Sequence, residues 1–267
     1  MKEISIGIAT CGRPRTLNRC IRSLKKFVDI PYDLIILDNT KAFTEEEDAL
    51  PSKIPSNAKY IEINDRKIGC CESNNIIADN CETQYIMHMD DDVYLTQSGI
   101  IKRMLDEVKA REDGYIVGGT WFDTFYNNYR HQNMQYLFGS IDNKTYVRKY
   151  PIPYEFTKQL NLDFILTHEC LHSMIMDKEL VYSKVKWDNN FKWKGDRLDF
   201  FMQCHDKGIK LSTYCKQHFI HNPQPFKYGS LSYEDFDGAN AIKYFEKKWN
   251  IYPIVGWDKR QIKPGNI

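Results

Sequence analysis

Three aspartates in a row, Asp90, Asp91 and Asp92, close an apolar stretch whose one polar member is His88. Adjacent carboxylates at a strand end repel one another, and the charge is tolerable where a cation sits. Hard divalent ions take oxygen ligands, and Mg²⁺ or Mn²⁺ is usually shared with substrate phosphates. In extended chain Asp90 and Asp92 face one side and Asp91 the other. A D-x-D spacing can therefore give one carboxylate to a metal and one to a sugar or ribose hydroxyl. A solvated acidic turn or helix cap is the plainer reading; the position after a fourth α/β strand favours the functional one. Asp196 and Asp199 form a second acidic pair, spaced i, i+3 and so on one helix face. Either could serve as a general base, or both could simply favour a helix N-terminus. The segment HECLH at 168–172 satisfies the H-E-x-x-H pattern, but its flanks ILT and SMIM favour strands over the helix a zinc site needs. His218 and His221 would face opposite sides of a strand. No G-x-G-x-x-G follows the first apolar run and no G-x-x-x-x-G-K-[ST] occurs, which disfavours dinucleotide oxidoreductases and P-loop enzymes.

The elements that would position these residues alternate. EISIGIA at 3–9 reads as a buried strand. Leu17, Cys20, Ile21 and Leu24 then recur at i, i+3, i+4, i+7, an amphipathic helix. DLIIL (33–37), KYIEI (59–63), QYIMHM (84–89) and GYIVG (114–118) supply further strands. A helix is predicted over 70–81, and another carries Ile100 to Val108 with Ser98 as its cap. Such alternation implies βαβ units and an open α/β sheet, with ligands beyond the carboxyl ends of the strands. That rule points to Thr10–Arg15, Leu37–Thr40 and Met89–Val93. Residues 120–160 show no clean periodicity. Beyond them, 162–166 and 171–176 read as strands, 196–208 as a helix, 209–221 as two short strands and 238–249 as a last helix.

Composition sets outer limits. The chain has 267 residues, with 42% hydrophobic and 27% charged, so collagen-like, disordered and mucin-like classes are excluded. Its 37 Lys+Arg against 36 Asp+Glu leave a net charge of +1, which gives no support to a nucleic-acid partner. No apolar run reaches the ~20 residues of a transmembrane segment. The N-terminus lacks a secretory h-region, and the eight cysteines form no C-x-x-C pair. The expectation is reduced, mostly buried thiols in a cytoplasmic protein, soluble or peripheral at the cytoplasmic membrane face.

Taken in order, ISIGIATCGRPRTLNRCIRSL, LIILDNT, RKIGCCESNNIIADNCETQYIMHMDDDVYL and the stretch from Asn161 to Pro223 resemble the GT-A fold glycosyltransferases, specifically glycosyltransferase family 2. The resemblance spans roughly residues 3–222, and the order and spacing of its short motifs carry it. Gly69 and Asn75 align with a family Gly and Asn, while Asn74 stands where Arg is usual. The last stretch is most similar to the branch containing ganglioside-type N-acetylgalactosaminyltransferases, with an acidic residue before two Phe and a later His. The resemblance implies a Rossmann-like open mixed α/β sheet flanked by helices. It implies one catalytic domain over 1–222, with a nucleotide-sugar half at 1–95 and an acceptor half at 96–222, then a helical extension at 223–267.

The implied activity is metal-dependent hexosyl transfer from a nucleotide-sugar, expected to be a UDP-sugar. The acceptor would be a hydroxyl of a glycan, glycolipid or other molecule, reached by inverting single displacement. By the same resemblance Asp92 and His221 hold Mn²⁺ or Mg²⁺, and Asp90 and Asp91 lie beside the donor. Thr10, Arg13 and Asp38 form the nucleotide corner, with Lys67, Gly69 and Asn75 at the third connection. Trp193 precedes the acidic helix as a donor-site aromatic; Trp121 also flanks the site in sequence. Alignment on the double Phe makes Asp199 the base. Alignment on a G-E-D-x-D form points to Asp196 instead and puts Arg197 where the catalytic Asp would be. The alternatives are a nucleotidyltransferase, a zinc hydrolase using HECLH, and a non-catalytic nucleotide-sugar-binding protein.

Overall fold

The computed structural model describes residues 2–42, 54–65, 67–124, 128–130, 134–141, 144–151, 159–192, 195–222 and 238–250. Its first half follows the hydrophobic pattern closely. Strand β1 (Ile4–Thr10) leads into helix α1 (Pro14–Phe27), where Pro14 opens the first turn and Leu17, Cys20, Ile21 and Leu24 face the core. Strands β2 (Tyr32–Asp38), β3 (Lys59–Glu62) and β4 (Tyr85–Asp90) follow, with helix α2 (Cys70–Asp79) between the last two. A two-residue strand β5 (Val93–Tyr94), helix α3 (Ile100–Lys109) and the nine-residue β6 (Tyr115–Asp123) complete this half. Helix α3 is capped by Gly99 at φ 89°, not by Ser98, and no side chain caps it. A left-handed residue at that corner suits glycine, so the serine one position earlier falls outside the turn.

The aperiodic region holds strands as well: β7 (Asn128–Arg130), β8 (Met134–Ile141) and β9 (Lys144–Pro151), the last two forming an antiparallel hairpin. Strands β10 (Phe164–Thr167) and β11 (Ser173–Asp177) precede the short helix α4 (Lys178–Tyr182). Helix α5 (Asp196–Asp206), strand β12 (Lys210–His221) and helix α6 (Gly238–Trp249) end the described chain. The two short strands expected over 209–221 are thus one. Its pairing with β6 slips between Tyr214 and His218, a bulge that bends and re-aims the strand.

The main sheet runs β10-β12-β6-β11-β4-β1-β2-β3, with β5 on β12 and β7 on β6. β3, β2, β1 and β4 are mutually parallel, and β11 enters antiparallel between β4 and β6. This is an open mixed sheet with helices on its faces. One apolar core lies against α1 and α3, and the other against α2, α5 and α6. Parallel neighbours require crossover connections, so the carboxyl ends of β1, β2 and β4 share one edge. Among the described residues, no helix is long and apolar enough to cross a membrane. None of the eight cysteines is in a disulfide, and seven are buried.

Candidate active site

Register places the first group. Thr10 lies opposite Asp38 on β2, and Ala9 opposite Asp90 on β4. The cleft above these strand ends is lined by Thr10, Arg13, Asn74, His88, Asp90 and His172, among others. The alternation expected of the aspartates ends with the strand. Asp90 is the last residue of β4 and the chain turns at Asp91 and Asp92. Arg13 consequently reaches both of the latter: one terminal nitrogen lies 2.6 Å from Asp92 Oδ2 and the other pairs with Asp91 Oδ1. Thr10 donates its hydroxyl to Asp91 Oδ2 at 2.6 Å. Asp90 turns instead to His172, with Nδ1 at 3.2 Å.

This cluster is held by opposed charge. Burial works to lower the Arg13 pKa, but Asp91, Asp92 and Asp90 raise it overall, so the guanidinium stays charged. Burial likewise works to raise Asp90, yet His172, Arg13 and His221 hold it below the ordinary carboxylate range. For Asp91, with no exposed surface, burial outweighs Arg13 and the carboxyl is pushed up. Behind them His88 is pressed down to about 3 by burial and by neighbouring His172. It is therefore a neutral imidazole, with Nε2 2.7 Å from the Tyr182 hydroxyl, which accepts from the Trp187 indole N–H.

His221 arrives from the far end of β12. That strand pairs with β5 through Ile220–Tyr94 and His221–Val93, and the Asn222 amide donates to the Asp92 carbonyl at 2.9 Å. The same strand pairs with β6, where His221 lies opposite Asp123. The result is a preformed pair: His221 Nε2 is 3.7 Å from Asp92 Oδ1, while its Nδ1 is 2.8 Å from Asp123 Oδ2. Trp121 stacks on the ring at 4.6 Å between centroids and is itself anchored to Ser173. A carboxylate on the far nitrogen fixes the tautomer and aims the near one, the usual support of a metal-binding histidine. A carboxylate plus an imidazole suits Mn²⁺ better than Mg²⁺.

The two aspartates of the acidic helix part company. Asp199 has no exposed surface and accepts from Lys248 Nζ (2.9 Å), Trp249 Nε1 (2.8 Å) and Gln203 Nε2 (2.8 Å). Its carboxylate is the anchor of α6, and burial still raises its pKa. Asp196, the first residue of α5, is half-buried beside Cys70 and His172 on the cleft side. The Asp199 oxygens are thus taken up inside the protein, whereas Asp196 lies on the cleft side. Arg197, next along, pairs with Glu169 at 3.4 Å.

Other expected residues fall in different surroundings. Asp38 gives one oxygen to the Thr40 amide and the other to the Tyr60 hydroxyl, and is only 2% exposed, so it braces β2. Asn75 faces away, donating to the Trp187 carbonyl and to Asn189. Lys67 is exposed. Gly69 touches the loop before the acidic helix: a Cβ there would lie 2.5 Å from the Lys192 Cα, and the Cys70 amide donates to the Lys192 carbonyl. Trp193 lies outside the described residues. HECLH is not a helix: His172 turns to Asp90, whereas His168 lies 5.6 Å from the His205 ring. The two histidines therefore do not share the helix face that an H-E-x-x-H zinc site uses. Sequence reading missed Asp123, Cys70 and His172 as partners of the site; only cross-strand register could have found Asp123.

The open mixed sheet, with an acidic strand end, a guanidinium across it and a supported histidine, has a GT-A type of fold. The glycosyl transferase family 2 model matches residues 5–183, and the chain belongs to that family. Among solved structures it is similar to S. aureus TarS, with 13% identity, a TM-score of 0.59, and 92% of this chain but 39% of that one covered. It is also similar to GalNAc-T7, solved with UDP, GalNAc and Mn²⁺, with 12% identity, a TM-score of 0.63, and coverage of 91% and 48%. The likeness at such identities is one of fold, and this chain spans less than half the length of either. No curated protein matches the sequence.

Proposed function

We propose that the chain transfers a sugar from a UDP-sugar to an acceptor hydroxyl, with Mn²⁺ held by Asp92 and His221. The observation that carries this reading is the preformed pair, His221 Nε2 3.7 Å from Asp92 Oδ1 with Asp123 behind the ring. The family match supports the reaction class, and the UDP and Mn²⁺ in GalNAc-T7 support the donor and ion. When bound, the ion supplies Lewis-acid stabilisation of the diphosphate leaving group. Arg13 adds fixed positive charge at the same strand end, where negative charge grows during transfer. Thr10 holds Asp91 and so keeps Arg13 between the two carboxylates. Asp196, half-buried at the cleft, takes the acceptor proton, and one displacement by that acceptor inverts the anomeric centre. Residues 1–222 form the catalytic unit in this reading, with α6 locked onto it through Asp199. The Asp199-Phe200-Phe201 run and His221 support a place near the ganglioside-type branch, with a glycan or glycolipid acceptor.

The test is UDP release from a panel of UDP-sugars with Mn²⁺. Asp92→Ala should lower turnover by at least ~10²-fold with an intact fold, the scale of losing one fixed charge-stabilising group. Full turnover in folded Asp92→Ala would refute the metal assignment.

A further inference from the structure

The histidine that leaves HECLH and the cysteine that opens α2 meet at the first residue of the acidic helix. One ligand atom each from Cys70, His172 and Asp196 lies within 4.8 Å of the others. We propose that these three residues form a second metal site, separate from Asp92 and His221, that takes a thiophilic divalent ion such as Zn²⁺ and leaves one position open.

Three observations carry it. His172 is 9% exposed; its Nδ1 is engaged by Asp90, and its Nε2 is buried without a hydrogen-bond partner. An imidazole with a carboxylate on one nitrogen and nothing on the other has the form of a metal ligand with its outer support in place. Cys70 is half-buried, where the other seven cysteines are buried. It begins the ten-residue α2 and Asp196 begins the eleven-residue α5, so both anionic ligands sit at the positive ends of helices. The donor set also selects its ion. A thiolate and a carboxylate neutralise a divalent charge, and the sulfur favours zinc over Mn²⁺ or Mg²⁺, which suit the oxygen-richer pair nearby. Bonds of about 2.0–2.3 Å place tetrahedral ligands some 3.5 Å apart, a small side-chain contraction from the distances present.

Binding has a proton balance. Burial and the neighbouring Asp196 carboxylate raise the Cys70 thiol well above its ordinary value, so the free site holds S–H. The ion forms a bond to sulfur and the thiol proton passes to solvent. A filled site would also hold Asp196 away from proton transfer. That consequence alone rests on Asp196 being the base; the binding does not.

The test is Co²⁺ titration of the full chain, with Co²⁺ standing in for Zn²⁺. The expected result is a thiolate-to-Co²⁺ charge-transfer band that saturates at one equivalent and is bleached by Zn²⁺. Cys70→Ser should abolish the band, and Asp90→Asn should weaken Co²⁺ binding ~10–100-fold through loss of the outer support. Asp92→Ala should leave the band unchanged, which separates this site from the Asp92–His221 pair. No band in folded wild-type protein at saturating Co²⁺, or an equal band in Cys70→Ser, would overturn the proposal.

Discussion

Asp199→Ala and Asp196→Asn should fail in opposite ways. Asp199 has no exposed surface, and removing it strips Lys248 of one of two carboxylates and leaves the Trp249 indole N–H without its acceptor. Breaking a buried ion pair costs about 3–5 kcal/mol. Lys248 keeps Asp188 at 2.7 Å and its side chain is 26% exposed, so the lower end of that range applies. At roughly 2–4 °C per kcal/mol for a chain of this size, the melting temperature should fall by about 6–12 °C. Turnover below that melt should stay within about tenfold of wild type, because no atom of Asp199 reaches the cleft. Asp196 is half-buried at a helix start, where losing its charge costs at most ~1 kcal/mol. As the base its loss should lower turnover ~10²–10⁴-fold. Melting curves and UDP release on the same preparations decide the matter. An Asp199→Ala protein that melts like wild type yet has lost turnover, or a fully active Asp196→Asn protein, would refute the reasoning.

Asp123→Asn should weaken Mn²⁺ binding ~10–100-fold, because Asp123 aims His221; unchanged Mn²⁺ affinity by calorimetry would remove its positioning role. His88 gives a pH dependence. Its folded pKa is depressed to about 3 from the ordinary 6.5, so below that ordinary value the unfolded chain binds the extra proton and stability falls with falling pH. The contribution approaches ~1.4 kcal/mol per pH unit between about pH 5.5 and 4.5. Denaturant melts of His88→Asn should show a shallower acid slope by that amount, and an identical slope would count against a neutral His88.

Most of the sheet was legible because its signals are local. The runs at β1, β2 and β4 are mostly apolar, and α1 and α3 carry unbroken 3.6-residue stripes. The β8–β9 hairpin was not, since MQYLFGSI and KTYVRKYP lack a clean alternation of apolar and polar residues. The bulge in β12 was equally hidden, because register against β6 is a tertiary fact. The same limit governs the site. The aspartate run announced itself by charge, but a period of two cannot see the turn that lets one arginine hold Asp91 and Asp92 together. Asp196 and Asp199 are equivalent by spacing; what separates them is α6, some fifty residues away, which claims one and leaves the other. Asp123 carries no motif of its own and His172 only one, HECLH, that forms no helix; both acquire their surroundings only through the strands beside them.

Calorimetric titration of UDP tests most directly whether Asp92 and His221 form a metal-dependent diphosphate site. With Mn²⁺ present, UDP should bind at least ~10-fold more tightly than with a chelator, a difference of about 1.4 kcal/mol. Asp92→Ala and His221→Ala should each erase that difference without unfolding the chain. Equal UDP affinity in Mn²⁺ and in chelator, or an Mn²⁺ effect that survives both substitutions, would contradict the account.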